Sequence, residues 1–156
     1  MILSRDLEEK NILEVSFPLH PDVINLLHNE DWKSIDQYFL EAAKPGGVLF
    51  EFLHTYLTFQ SIEHIIAIRS APDDEDGIWH DDGSRILGFT VSLTEKPELI
   101  TGGELRFKKK TDSEWQTVST RHLGQMLMFK TGIYGFEHMV TAVTKGRRII
   151  IAGWCS

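Results

Sequence analysis

Along the first third of the chain apolar residues recur at helical spacing; beyond it they alternate. Trp32, Ile35, Phe39 and Leu40 mark one face of a helix that Asp31 caps and Lys44-Pro45-Gly46-Gly47 stops. Val48, Leu49, Phe52, Leu53, Tyr56 and Leu57 form a second helical stripe, and a short strand is predicted ahead of both, over 11–17. From about residue 61 the pattern changes to short runs of period two, separated by glycine-bearing and charged turns. Strands are predicted over 62–69, 85–94, 103–108, 115–118, 125–130, 137–143 and 147–154. Many strands with no helix between them point to an antiparallel sandwich or barrel, which the earlier helices would cover. With no internal repeat and no linker, the chain reads as a single domain over 1–156, with supporting helices over 1–60 and a β core over 61–156.

Two of these strands carry more information than the others. In the strand over 85–94, Leu87, Phe89, Val91 and Leu93 share one face, while Gly88, Thr90 and Ser92 share the other. The apolar face suits the helices, and the small polar face suits a cavity. In the last strand Arg148, Ile150, Ala152 and Trp154 alternate with Ile149, Ile151 and Gly153. Both faces are apolar, so this strand is expected between layers, with an arginine at its mouth.

Charge and cysteine content narrow the function classes. At 156 residues with a net charge of −7, the chain has no general attraction for phosphate backbones or anionic membranes, so nucleic acid is a disfavoured partner. Cys155 is the single cysteine, which excludes an intrachain disulfide and favours a reducing, cytoplasmic setting. The first residues do not resemble a signal peptide, and no apolar run has the length of a membrane span.

Candidate chemistry begins at His80-Asp81-Asp82, where His80 and Asp82 project to the same side of an extended backbone. A histidine two residues from an aspartate is common by chance. The bland alternative is a solvated turn following the acidic run Asp73-Asp74-Glu75-Asp76, a run that also suits a flexible lid. An EF-hand fails, because aligning Gly77 with the loop glycine puts Pro72 and Gly83 where carboxylates are required. The C-terminal segment adds weight. His138 opens a strand, Thr144-Lys145-Gly146 reverses the chain, and Arg148 enters the next strand. Two histidines and one carboxylate can occupy one face of an octahedral ferrous ion and leave positions open. An arginine nearby can hold the far carboxylate of a dianionic cosubstrate with two parallel hydrogen bonds.

In these residues the chain resembles the Fe(II)- and 2-oxoglutarate-dependent dioxygenases, and within them the prolyl 4-hydroxylase-like group. The resemblance rests on His80-Asp81-Asp82, Gly102-Gly103-Glu104-Leu105, His138, Gly146-Arg147-Arg148 and Trp154, and runs from about residue 61 to 154. It implies a mainly β fold, the double-stranded β-helix or jelly roll of the cupins, with supporting N-terminal helices. It implies iron held by His80, Asp82 and His138, with the 5-carboxylate of 2-oxoglutarate on Arg148. Arg147 competes for that role but should face the opposite way. The family's cosubstrate-binding tyrosine is replaced by Ser92, which, with Thr90, offers a smaller hydroxyl; Ala142 stands where a proline often follows the histidine. O2 and 2-oxoglutarate are the implied co-reactants, ascorbate is a candidate reductant, and the expected activity is hydroxylation of a C–H bond in a peptide or small molecule. Trp79, Asp81 and Arg85 are candidate substrate contacts at the rim, against an equal expectation of loop packing and a surface ion pair. His20, His28, His54, His64 and His122 are expected to be surface or hydrogen-bonded side chains. A metal-binding jelly-roll module without turnover, acting as sensor or interaction protein, is the rival from another class. Nucleic-acid dealkylation by the same chemistry ranks lower, for want of a basic groove.

Overall fold

The computed structural model describes residues 4–156. Helix α1 (Arg5–Glu9), capped by Ser4, leads into strand β1 (Ile12–Ser16). Helix α2 (Pro21–His28) starts at a proline, which needs no N–H at the first helical position, and His20 Nδ1 accepts the Asp22 N–H at 3.1 Å. Helix α3 (Trp32–Ala42) is capped as expected by Asp31, whose carboxylate accepts the Ser34 N–H. Its buried stripe is Ile35, Phe39 and Ala42, so Leu40, placed on that stripe by the sequence pattern, is instead 46% exposed. Helix α4 (Val48–His54) ends sooner than its stripe suggests, because Tyr56 and Leu57 continue the apolar pattern in a turn.

The strands form a sandwich. Its larger sheet contains β2 (Ile62–Ser70), β3 (Leu87–Ser92), β7 (Gln125–Lys130) and β10 (Arg147–Cys155), in the order β1-β7-β3-β10-β2 and antiparallel throughout. Facing it is a three-stranded sheet, β6-β5-β8, from β5 (Leu105–Lys108), β6 (Gln116–Val118) and β8 (Glu137–Val140). Between the predicted strands the chain also makes a short pair, β4 (Thr101–Gly102) with β9 (Val143–Lys145). The single strand predicted over 137–143 is therefore two, broken at Thr141 and Ala142 where the chain leaves one sheet for the other.

Two apolar layers hold this together. Leu87, Phe89, Val91, Met126, Met128, Ile149 and Ile151 pack on Ile35, Phe39, Leu49 and Leu53 of the helices. Between the sheets, Leu127 and Phe129 meet Leu105, Phe107 and Val118. Each fully buried Leu, Ile or Phe contributes about 1.5–3 kcal/mol relative to exposure, so the helix-facing layer dominates stability. That division leaves the second face of β3 and β10 available for chemistry. Among the described residues no helix is long and apolar enough to cross a membrane.

Candidate metal centre and carboxylate channel

Registers across the larger sheet set side chains of its inner face in rows. One row runs Phe129, Gly88, Trp154, Glu63; the next Leu127, Thr90, Ala152, Ile65; then Ser92, Ile150, Ala67; and last Arg148 with Arg69. The first row marks the level of the metal centre, since the Phe129 ring lies 5.0 Å from that of His138. Gly88 is required there, because a Cβ would fall 2.5 Å from the Phe129 ring.

His80 and His138 meet through a backbone bridge, His80 N–H to His138 O at 3.1 Å and His138 N–H to His80 O at 2.9 Å. Extended backbone carries Asp82 to the same side as His80. The result is a compact trio whose ligand atoms all lie within 4.8 Å of one another. His80 Nε2 stands 3.7 Å from Asp82 Oδ1, and His138 Nε2 stands 3.5 Å from Asp82 Oδ2. Two outer contacts aim the trio. Thr131 Oγ1 donates to Asp82 Oδ2 at 2.6 Å, and His80 Nδ1 lies 2.8 Å from the Ile78 carbonyl, which favours a proton on Nδ1 and leaves Nε2 for a metal. Burial pushes the His138 imidazole below its ordinary value, with Asp82 pulling the other way and His80 adding to the fall. A neutral imidazole is the form that binds metal. Two imidazoles and one carboxylate on one side, with the far side open, suit ferrous iron.

Arg148 lies between the sheets, 3% exposed, and among the described residues no carboxylate is within ion-pair distance and its buried Nε has no acceptor. Burial pushes its guanidinium down to about 10, the positive charge of Arg69 acting in the same sense and Asp74 against it, so it stays cationic at neutral pH. An unpaired buried cation is costly, and a carboxylate ligand removes the cost. Thr90, Leu105, Leu127 and Ile150 line the space beside it, which narrows to about 10 Å³, room for one water. The double glycine has its physical reason here: a Cβ on Gly102 would strike the Ala142 carbonyl at 1.9 Å, and one on Gly103 would come 2.9 Å from Arg148 Cδ. A larger cavity, about 560 Å³, lies elsewhere, beside Leu27, Glu30, Leu93 and Arg147.

The remaining sequence candidates separate clearly. Arg147 turns outward to Glu30 and the Trp32 ring. Ser92 is already committed, its hydroxyl donating to the Arg121 carbonyl at 2.6 Å and accepting the Thr94 N–H, so Thr90 is the hydroxyl left facing the channel. Trp79 and Asp81 alternate away from the metal ligands, Trp79 against Trp115 and Lys108, and Asp81 onto Lys110 and the Gly83 N–H. Arg85 lies over the Trp154 ring and pairs with Glu63, at the open end of the first row. His20, His28, His54 and His64 are occupied by a helix cap, Glu95, the Phe50 and Phe59 rings, and Asp36. The acidic run is largely exposed, as a solvated loop would be, with Asp73, Glu75 and Asp76 at the surface, but it is tied down rather than free. Asp74 accepts the Val143 N–H and Asp76 the Ala142 N–H, both at 2.7 Å, fastening residues 74–80 beside the segment that carries His138. Sequence reading missed these two carboxylates, Thr131 and Arg69, because what defines each is a partner distant along the chain.

Comparison with known proteins agrees with this geometry. The chain superposes on a prolyl-4-hydroxylase from Pseudomonas putida with a TM-score of 0.62 at 18% identity, covering 96% of this chain and 87% of that one. It matches a prolyl hydroxylase from Trichoplax adhaerens, in complex with a hypoxia inducible factor oxygen degradation domain peptide fragment, at 0.63 and 10%, covering 98% and 86%. A viral collagen prolyl hydroxylase from Paramecium Bursaria Chlorella virus-1 gives 0.60 and 16%, covering 96% and 90%. No match was found among curated proteins. These likenesses show a shared double-stranded β-helix. The pattern of the 2OG-Fe(II) oxygenase superfamily matches residues 69–156, more than half of the chain and the whole of the metal and carboxylate site, and the protein belongs to that superfamily.

Proposed function

We propose that the protein is a hydroxylase of the prolyl 4-hydroxylase type, acting on a C–H bond of a peptidyl or small-molecule substrate. The observation that carries this reading is the buried, unpaired Arg148 set between the sheets below the His80, Asp82 and His138 trio. A module that only binds metal has no use for such a cation. When bound, iron and 2-oxoglutarate supply the oxidising power that no side chain possesses. The chain supplies position. His80 and His138 would present ring nitrogens, Asp82 would present an oxygen held by Thr131, and Phe107 and Phe129 pack on the His138 ring. Arg148 and the Thr90 hydroxyl, which line one space, would receive the far carboxylate.

What supports a peptide over a smaller substrate is the open flank. Strand β2 ends the larger sheet, and Ile65 on its inner face is 49% exposed beside Ala152 and Trp154. An apolar ledge of that kind accepts an extended chain, and the Trichoplax relative of the same fold is seen with a peptide. A cytoplasmic setting belongs to the same reading, supported by the lone buried thiol of Cys155, which burial pushes up to about 12 and so keeps unreactive.

Anaerobic titration with Fe(II) and 2-oxoglutarate, followed by an oxygen-dependent succinate assay, tests the proposal. His80→Ala and Asp82→Ala are each expected to abolish turnover, and His54→Ala to leave it intact. Iron binding without succinate from any peptide or small-molecule candidate would instead identify a non-catalytic metal-binding module.

A further inference from the structure

A second guanidinium lies beside the first. Arg69 on β2 is the direct cross-strand partner of Arg148 on β10, so the two side chains leave the sheet on the same face, into the space between the sheets. Like charges in directly opposed positions destabilise an antiparallel pair, and an ordinary sheet avoids them. Among the described residues one carboxylate, Asp74, pairs with either, and it pairs with Arg69: Nη1 donates to both Asp74 oxygens at 3.2 Å and to the Glu75 carbonyl at 2.8 Å. All three bonds leave from Nη1, although a guanidinium carries five N–H donors. Nη2 lies against Gly77, where a Cβ would come within 3.3 Å of it. The side chain thus spans the gap from β2 to the 74–80 segment on the β2 side of Arg148, while Arg148 itself lines the narrow space between the sheets. Two guanidiniums set against one carboxylate leave a surplus positive charge at this end of the sheet, next to the space that Arg148 lines.

We infer that Arg69 is a second carboxylate anchor, which binds the end of the cosubstrate remote from the metal together with Arg148. The inference rests on the 2-oxoglutarate reading above and assigns to it a residue from the strand preceding the metal ligands. Asp74 then has a distinct part: it holds Arg69 across the gap and competes with the ligand for its charge.

Calorimetric titration of the protein loaded with redox-inert Mn(II), using 2-oxoglutarate and 2-oxobutyrate, tests this, because 2-oxobutyrate lacks the remote carboxylate. Arg69→Gln is expected to weaken 2-oxoglutarate by about tenfold or more and to leave 2-oxobutyrate within about twofold of wild type. Arg69→Lys, which keeps the charge and loses the fork, should fall between, and it decides the matter if the glutamine variant does not fold. Asp74→Asn, which frees the guanidinium, should bind 2-oxoglutarate as tightly as wild type or more tightly. Unchanged 2-oxoglutarate affinity in both Arg69 variants, or an equal loss in Asp74→Asn, overturns the inference and leaves Arg69 as an anchor for residues 74–80. A wild-type protein that binds Mn(II) but no 2-oxoglutarate would overturn the function reading itself.

Discussion

At the scale of single residues, the metal centre depends on side chains that touch no metal. Asp82 is nearly buried, and the Thr131 hydroxyl satisfies the oxygen that also faces His138. Removing that donor leaves a carboxylate free to rotate and a lone pair unsatisfied in a poorly solvated place. Thr131→Val is therefore expected to weaken metal affinity by about 10- to 100-fold, read by competition titration with Mn(II), while Thr131→Ser restores most of it. A valine variant with wild-type affinity would show that backbone alone orients Asp82. The contrast with the ligands explains what the sequence could reveal. His80, Asp82, His138 and Arg148 are legible through the family resemblance, with alternation adding only that His80 and Asp82 share a side and that Arg148 faces opposite to Arg147. Thr131 is one threonine in a glycine-bearing loop, and only folding brings it to Asp82. Ser92 shows the reverse error: its position is right for the channel, but its hydroxyl already donates its hydrogen bond to the Arg121 carbonyl.

At the scale of elements, the long alternating strands follow the sequence and the connections do not. The inner and outer faces of β3 and β10 divide as their alternation predicts, because a one-residue slip would turn every side chain over. The 71–80 segment, in contrast, has polar composition and no period, so its role as the fastened edge beside β8 and β9 is set by Asp74 and Asp76 capping backbone N–H groups. Burial raises the Asp74 carboxyl, but the Val143 N–H and the Arg69 guanidinium outweigh it, and the group sits below its ordinary value. A carboxyl lowered in the folded state adds stability above its unfolded value and loses it as pH falls through the folded one. Wild-type stability should therefore decline below about pH 4, and Asp74→Asn should be less stable at neutral pH with a shallower acid slope. Denaturant unfolding across pH 2 to 7 measures both, at about 1.5–3 kcal/mol for a hydrogen-bonded charge. Parallel slopes for the two proteins would mean that the clamp contributes nothing through ionisation.

At the scale of the whole molecule, the site exists only because a sandwich brings together segments that are remote in sequence. His80 and Asp82 precede the larger sheet's β3, His138 follows its β7, and Arg148 enters through its last strand. The protein carries a net charge of −7, yet it sets two guanidiniums side by side at one end of its larger sheet, so the local sign there opposes the net charge. Such a concentration of like charge, one of the two fully buried, costs stability in the absence of ligands. Ligands that neutralise it must then stabilise the native state, because the unfolded chain cannot hold three ligand atoms together. Mn(II) at about 100 times its dissociation constant should add about 2.7 kcal/mol, which for a domain of this size is a rise of roughly 5–10 °C in Tm. Adding 2-oxoglutarate should raise Tm further, and His80→Ala should suppress the metal-dependent rise while leaving the unliganded Tm near that of wild type, since the His80 side chain is half exposed and packs on no apolar layer. The two shifts answer separate questions. A metal shift that survives in His80→Ala would move the metal away from the trio, whereas a metal shift with no increment from 2-oxoglutarate would leave the trio intact and empty the channel of its assigned ligand.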